Sequence, residues 1–532
     1  MTETEKQRRI RPLTTALGAL SGVLAGGAAL AFAEAAAGVI RPQAGPVVAV
    51  GGAAIDRTPA AVKDWAIRTF GTDDKLVLQL GILTVLALFA VALGIASARF
   101  RRPAAAGVLL FGAVGALAAA SRPDSTGFVD TLPSVVGAVV GAVVLYVLAG
   151  RLAARRPAGA GPGAAPSEAG WDRRGFVIAA SAAAAASAGA GVLGRSLSGS
   201  GGRDAVASRR AAVLPAPASP ADPVPRGAAL RIPGISPFIT PNDSFYRVDT
   251  ALVVPKVDAT AWRLRIHGQG VRRPVTLSFA DLLRRDLVER DITLTCVSNE
   301  VGGPYVGNAR WIGVRLADLL ADCGVVPPSR GGPADQLVAR SVDGMTLGSP
   351  VEELMDGRDA LLAVGMNGEP LPFSHGFPVR MVVPGLYGFV SACKWIEDIE
   401  LTTFDDYDPY WVQRGWAREA PVKTQSRIDT PKPFARPRAG TVMVAGVAWA
   451  QHRGIDKVEI RVDDGPWQEA RLAAEDGRDT WRQWSFAWQA VKGGHTLTVR
   501  ATDRTGEVQT AQRARTVPDG ASGRHSVVVT VD

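Results

Sequence analysis

AVGMNGEPLPFSHGFPVRMVVPGLYG, residues 363–388, is dense in glycine and proline yet carries His375 and Arg380, and Ser391 and Lys394 follow within a few residues. Glycine and proline let backbone approach a bound group closely, while arginine and lysine supply donors for a phosphate or another anion. The segment therefore reads as an anion cradle. Each side chain alone has an ordinary explanation: Lys394 as surface charge, His375 as a satisfied structural histidine.

Upstream, TLTCVSN (residues 293–299) ends an alternating, strand-like run and places Cys296 just before turn-forming residues. A lone cysteine on a strand is most often a small buried hydrophobe. The chain has three cysteines, Cys296, Cys323 and Cys393, so an odd thiol is left over whatever the pairing.

Around these two stretches, WRLRIHG, ITLTCV, PVRMVV and KWIEDIELT have strand character. SFADLLRRD, VRLADLLADCG and SPVEELMDG have helical character. Irregular interleaving without a βαβ repeat predicts an α+β domain over residues 232–428. Residues 429–532 carry short strands only. Val458, Ile460 and Val462 alternate there with Lys457, Glu459 and Arg461, and Asp464-Gly465 supplies a hairpin turn. The expectation is an all-β immunoglobulin-like sandwich.

The chain has 532 residues, a formal charge of +9 and a hydrophobic share of 47%, too long for one domain and too apolar for a purely aqueous one. The apolar excess lies in residues 1–195, as about five stretches long enough to cross a bilayer as helices: 13–40, 76–97, 104–120, 135–150 and 176–193. KQRRIRP, RFRRP and RLAARRP fall on one side of such a bundle, which predicts a plasma-membrane protein with a cytoplasmic N-terminus and everything beyond the fifth span outside. The fifth stretch begins at Arg173-Arg174 and resembles a twin-arginine export signal, the route for domains folded around a cofactor before transport. Residues 196–231, rich in Gly, Ser and Pro, are expected as a flexible linker. The basic balance sits in membrane flanks and linkers with no nucleic-acid-binding motif, so no nucleic-acid partner is expected.

Together, ITPNDSFYRVDT (239–250), TLTCVSN, SVDG (341–344), the opening stretch and KWIEDIEL resemble the molybdopterin-binding domain of the sulfite oxidase family. GVAWA, VEIRVDDGPWQEA and WSFAW are similar to that family's C-terminal sandwich, which is associated with homodimer formation. The resemblance runs from near residue 232 to the end. It implies a molybdenum–molybdopterin cofactor and two-electron oxygen-atom transfer. Cys296 matches the thiolate that coordinates the metal, in keeping with soft sulfur as a transition-metal ligand. Asn242, Phe245, Tyr246 and Arg247 match the segment lining the cofactor, and His375, Arg380, Ser391 and Lys394 its pterin and phosphate contacts. Arg247 and Asp343 match catalytic positions beside the metal.

The departures bear on substrate. Sulfite-oxidising members follow the cysteine with AGN and paired arginines, where this chain has VSN and Glu300-Val301. The Asn-His pair after the substrate arginine is replaced by Val248 and Asp249. An acidic group beside the substrate repels sulfite by about 1 to 4 kcal/mol at 4 Å. These changes weigh against sulfite and keep open a sulfoxide or N-oxide reductase of the same fold. Other classes compatible with the residues are a cofactor-less membrane-anchored binding protein and a hydrolase using Cys296 and His375. All five histidines lie at or beyond His267, and no C-x-x-C-H or cysteine cluster occurs, so no haem or iron–sulfur cluster is expected in this chain. A small-molecule substrate and a separate electron-transfer partner, a cytochrome or quinone-linked protein, are expected instead.

Overall fold

The apolar first third becomes helix, the one local structure that bonds its backbone polar groups within the segment. The computed structural model describes residues 3–58, 62, 69–70, 74–122, 125, 127–152 and 172–532. It has two units, residues 1–204 with 250–254 and residues 205–249 with 255–532.

In the first unit the helices are α1 (Glu3–Ile40), α2 (Pro46–Arg57), α3 (Asp74–Ser97), α4 (Arg101–Ala120), α5 (Leu132–Leu152) and most of α6 (Arg173–Ala211). Among the described residues, five stretches are long and apolar enough to cross a membrane: Leu13–Ile40, Lys75–Ser97, Arg101–Ala120, Phe128–Leu152 and Arg173–Ser196. Small residues let these helices meet backbone to backbone. A Cβ added at Gly22 of α1 would lie 1.9 Å from the Ala90 carbonyl oxygen of α3, and one at Gly137 of α5 would lie 2.4 Å from the Ala29 oxygen of α1.

The second unit has eighteen strands in four sheets. One is ordered β2 (Val275–Ser278), β1 (Arg263–Gly268), β10 (Ile396–Thr402), β5 (Gln336–Ser341), β6 (Thr346–Pro350), antiparallel except for the β1–β10 pair. A second runs β3 (Leu287–Thr295), β4 (Val306–Arg315), β7 (Leu361–Met366), β8 (Glu369–Pro370), with β9 (Arg380–Val382) also on β7. Short helices α7 (Phe279–Leu283), α8 (Leu316–Asp322), α9 (Val351–Met355) and α10 (Gly388–Ser391) connect them. The first of these opens with a capping box in which Ser278 and Asp281 bond each other's backbone N–H. Both sheets share one core, with Leu264, Ile266, Trp311, Leu362, Val383 and Ile399 buried. This is the α+β domain expected from the interleaved patterns.

The remaining strands form two antiparallel sheets over their own core. Their orders are β11 (Gln425–Thr430), β12 (Gly440–Trp449), β16 (Arg482–Ala490), β15 (Arg471–Leu472) and β14 (Gln468–Glu469), β13 (Ile455–Val462), β17 (Gly493–Asp503), β18 (His525–Val531). Val458 and Ile460 of β13 are fully buried with Trp484, Val499 and Val529, so the alternation in sequence marks the inner face of a two-sheet sandwich.

Residues 196–231 depart from the flexible tether that their composition suggests. Helix α6 continues to Ala211, and Arg209 at its end donates to the carbonyls of Leu371 and Pro370, each at 2.7 Å, while pairing with Glu369. Beyond the helix, Ala218 and Glu289 exchange backbone bonds with Leu287 and Ser219, so the chain runs along the edge of β3. A backbone segment with tertiary partners for its polar groups orders despite low local propensity.

Candidate active site

Cys296 follows the last residue of β3 and is buried. Its N–H donates to the Tyr305 carbonyl at 2.9 Å and its own carbonyl accepts from Asn299 at 3.0 Å. Asn299 accepts in turn from the Tyr305 N–H at 2.8 Å, closing a tight loop between β3 and β4 that fixes the thiol's direction. The sandwich holds the same strand from outside. Gln451 donates to the Thr293 carbonyl and the Thr295 hydroxyl, Trp481 N–H donates to the Thr293 hydroxyl at 2.7 Å, and Arg427 donates to the Gly303 carbonyl at 2.7 Å. Burial pushes the Cys296 thiol above its ordinary range, while Ser298 donors and the nearby Lys394 ammonium pull toward the thiolate. A metal cation displaces that proton outright.

The segment preceding β1 lies against the Gly/Pro loop. Asn242 donates to the Glu369 carboxylate at 2.7 Å and the Met366 carbonyl at 3.2 Å, and accepts from Asn367 at 2.8 Å. His375 Nε2 is 2.9 Å from the Asn242 carbonyl, so it carries the ring proton and donates. Burial, with Arg380 next, lowers the His375 pKa to about 4, leaving a neutral imidazole at physiological pH. Phe245 stacks on Tyr246 at 5.1 Å and meets His375 and Trp311 edge-on at 5.6 and 5.8 Å. Tyr246 is held neutral by burial and by the neighbouring Cys296.

Arg380, on β9, is 5% exposed and donates only to the backbone carbonyls of Met381, His375 and Ala392. Its guanidinium lies 5.1 Å from the Trp311 ring centroid, and no carboxylate of the described residues pairs with it. Burial lowers its pKa to about 10, still fully charged at neutral pH. A buried cation without a counter-charge is costly, and it becomes favourable once an anion occupies its free donors.

The other two expected cations differ. One oxygen of Asp249 accepts from Arg247 Nε and from Lys394 Nζ, both at 2.9 Å. Asp249 and Lys394 are nearly inaccessible, with side-chain exposures of 4% and 10%, whereas Arg247 is exposed by 37%. Ser391 is buried at the end of α10, and its hydroxyl donates to the Leu386 and Tyr387 carbonyls, which leaves only lone pairs for a ligand. Asp343 sits in the β5–β6 turn, accepting from Met345 N–H at 3.3 Å. Val342 N–H bonds the Trp395 carbonyl, which sets this turn beside the Lys394 loop, and burial, followed by the Asp343 charge, raises the Cys393 thiol. Glu300, expected as the acidic departure, has an exposed side chain. All three cysteines are free and buried.

Sequence reasoning did not single out Trp311, Asn299, Tyr305 or Gln451. Trp311 in ARWIGV was readable as an aromatic on a core strand, but its place under Arg380 depends on the β4–β7 pairing. His267, Asp398 and Glu400 also lie within metal-binding distance of one another, on β1 and β10. There the imidazole is already bonded to Asp398 at 3.0 Å on a half-exposed sheet face.

Residues 251–411 match the oxidoreductase molybdopterin binding domain family. Mitochondrial sulfite oxidase of Mus musculus is 30% identical over 344 residues, 54% of this chain and 62% of that protein. Sulfite oxidase of Gallus gallus is 31% identical over 319 residues, covering 51% of this chain and 68% of that one. The chain belongs to the sulfite oxidase family. Its residues 251–411 carry the molybdopterin-binding domain, and the cofactor of that domain is the molybdenum cofactor. The chain spans 62% of the length of the mouse relative. Among solved structures, the sulfane dehydrogenase SoxCD of Paracoccus pantotrophus aligns over 56% of this chain and 84% of that one, with 25% identity and a TM-score of 0.48.

The residues present fit this sulfite-oxidase-family cofactor. Arg380 is a buried cation with donors to spare for a phosphate, and Cys296 is a buried thiol with orienting donors around it. When bound, molybdenum supplies two-electron redox chemistry coupled to oxygen-atom transfer. Cys296 would hold the metal and Arg380 the phosphate. Neutral His375 would fix the lining segment through Asn242, and Tyr246 and Phe245 would exclude water from the sulfur.

Proposed function

We propose that this chain is a membrane-anchored oxygen-atom-transfer enzyme, working outside the plasma membrane through a molybdenum held by Cys296. The observation that carries the reading is the pairing of a buried, donor-supported thiol with the unpaired buried guanidinium of Arg380. Five helices suited to a bilayer supply the anchor, and the Lys/Arg clusters flanking them favour a cytoplasmic N-terminus. Arg173-Arg174, opening α6, suits export of a unit folded around its cofactor. The C-terminal sandwich, read as immunoglobulin-like, is the element through which a homodimer would form.

Arg247, Asp343 and Cys296 are the catalytic candidates, with Asn242, Phe245, Tyr246, His375, Arg380, Ser391 and Lys394 around the cofactor. Electrons pass to or from a separate cytochrome or quinone-linked protein. A sulfoxide or N-oxide reductase is the second reading, favoured by the acidic residue between Arg247 and Lys394. Metal and pterin analysis of protein made in a cofactor-producing host tests the proposal. It predicts about one molybdenum per chain in wild type, and a metal-free, folded wild type contradicts it. Turnover of sulfite against a sulfoxide panel then separates the two directions.

A further inference from the structure

Three cations lie among the expected site residues, and the fold treats them differently. Arg380 keeps no carboxylate, whereas a single oxygen of Asp249 is shared by Arg247 and Lys394, 2.9 Å from each. The Asp249 carboxylate is 4% exposed, so water screens it little and its effect on charge inside the pocket is strong. Arg247 directly follows Tyr246, whose ring stacks on Phe245 against His375, and Lys394 forms a backbone bridge with Arg380, which sets the clamp beside the expected cofactor contacts. With Asp249 in place, Arg247, Lys394 and Asp249 together carry one net positive charge; without it the two cations would carry two, with the donors now on Asp249 released. A protein that binds a dianion gains from leaving such donors open. One that binds a neutral molecule gains from closing them, because a buried unpaired cation is costly.

We propose that Asp249 sets the charge class of the substrate, so that the site selects uncharged oxygen-atom donors or acceptors and rejects oxyanions. This rests on the reading that the Cys296 pocket holds the molybdenum. Selectivity then arises from a pre-formed internal anion that an oxyanion would have to displace.

The test is equilibrium binding to the full-length, detergent-solubilised protein, with molybdenum content measured on every sample. Inorganic sulfate serves as an unreactive oxyanion and dimethyl sulfone as an unreactive neutral analogue. Tryptophan fluorescence is the readout, since the Lys394 ammonium lies 4.8 Å from the Trp395 ring centroid. Wild type should bind the sulfone more tightly than sulfate. Asp249→Asn should bind sulfate about tenfold or more tighter than wild type, with a steep loss on adding salt, and keep sulfone affinity within about twofold. Adding Lys394→Gln to Asp249→Asn should cancel the gain. Sulfate affinity unchanged in Asp249→Asn at equal molybdenum content would overturn the proposal. So would a wild type that prefers sulfate, a comparison that needs no variant to fold. Wild type lacking molybdenum would instead defeat the reading beneath it.

Discussion

Gln451, just past the end of β12, donates its amide to the Thr295 hydroxyl at 2.9 Å, and Thr295 is the residue before Cys296. The same amide reaches the Thr293 carbonyl at 2.9 Å, so the sandwich braces the strand that carries the thiol. Gln451→Leu leaves two buried polar groups short of a donor, at a cost of about 1 to 3 kcal/mol. The expected outcome is a lower melting temperature together with reduced molybdenum per chain. A variant that loses stability but keeps full metal content would show that the brace does not position Cys296.

Arg380 gives the opposite pattern. Because its buried guanidinium has no carboxylate partner, replacing it with a flexible apolar side chain removes a desolvated charge as well as an anion site. Arg380→Met should therefore leave the cofactor-free protein at least as stable as wild type, while cofactor retention through purification falls by about tenfold or more. Calorimetry and pterin fluorescence after release check the two halves separately. Unchanged pterin content would remove Arg380 from the cofactor's contacts.

Two histidines, the buried His375 and the half-buried His525, predict a shape for stability against pH. Ile428 N–H donates to His525 Nδ1 at 3.0 Å, so that ring must be neutral, and burial followed by the Arg427 charge lowers its pKa to about 4. His375 is lowered to about 4 as well. For a base with a depressed folded value, the unfolded chain takes up the proton first as pH falls. Stability is thus full above about pH 6.5 and declines toward about pH 4, by about 3 kcal/mol for each ring. Melting temperature followed from pH 7 to pH 4 should show that decline, and His525→Gln should flatten it. Equal slopes in variant and wild type would contradict the assignment.

Much of the fold was legible because period-2 alternation survives where a strand has one wet face, as in Val458 and Ile460 of β13. The five long helices were equally plain, since an apolar run of that length has few other uses. His375 and Arg380 stood out by local composition, and Cys296 through the family resemblance. What sequence hid depends on contacts between distant residues: Asp249 and Lys394 are 145 positions apart, and nothing local says that one neutralises the other. The helix through residues 196–211 was hidden for the same reason, because the partners of Arg209 lie 160 residues and more away.

The claim on which the account stands is that the sulfur of Cys296 is bonded to the metal. Molybdenum-edge X-ray absorption on wild type and Cys296→Ser, each loaded with cofactor, addresses it directly. The variant is expected to show one sulfur neighbour fewer than wild type, with the remaining sulfur shell intact. An identical sulfur count in the two proteins would contradict it.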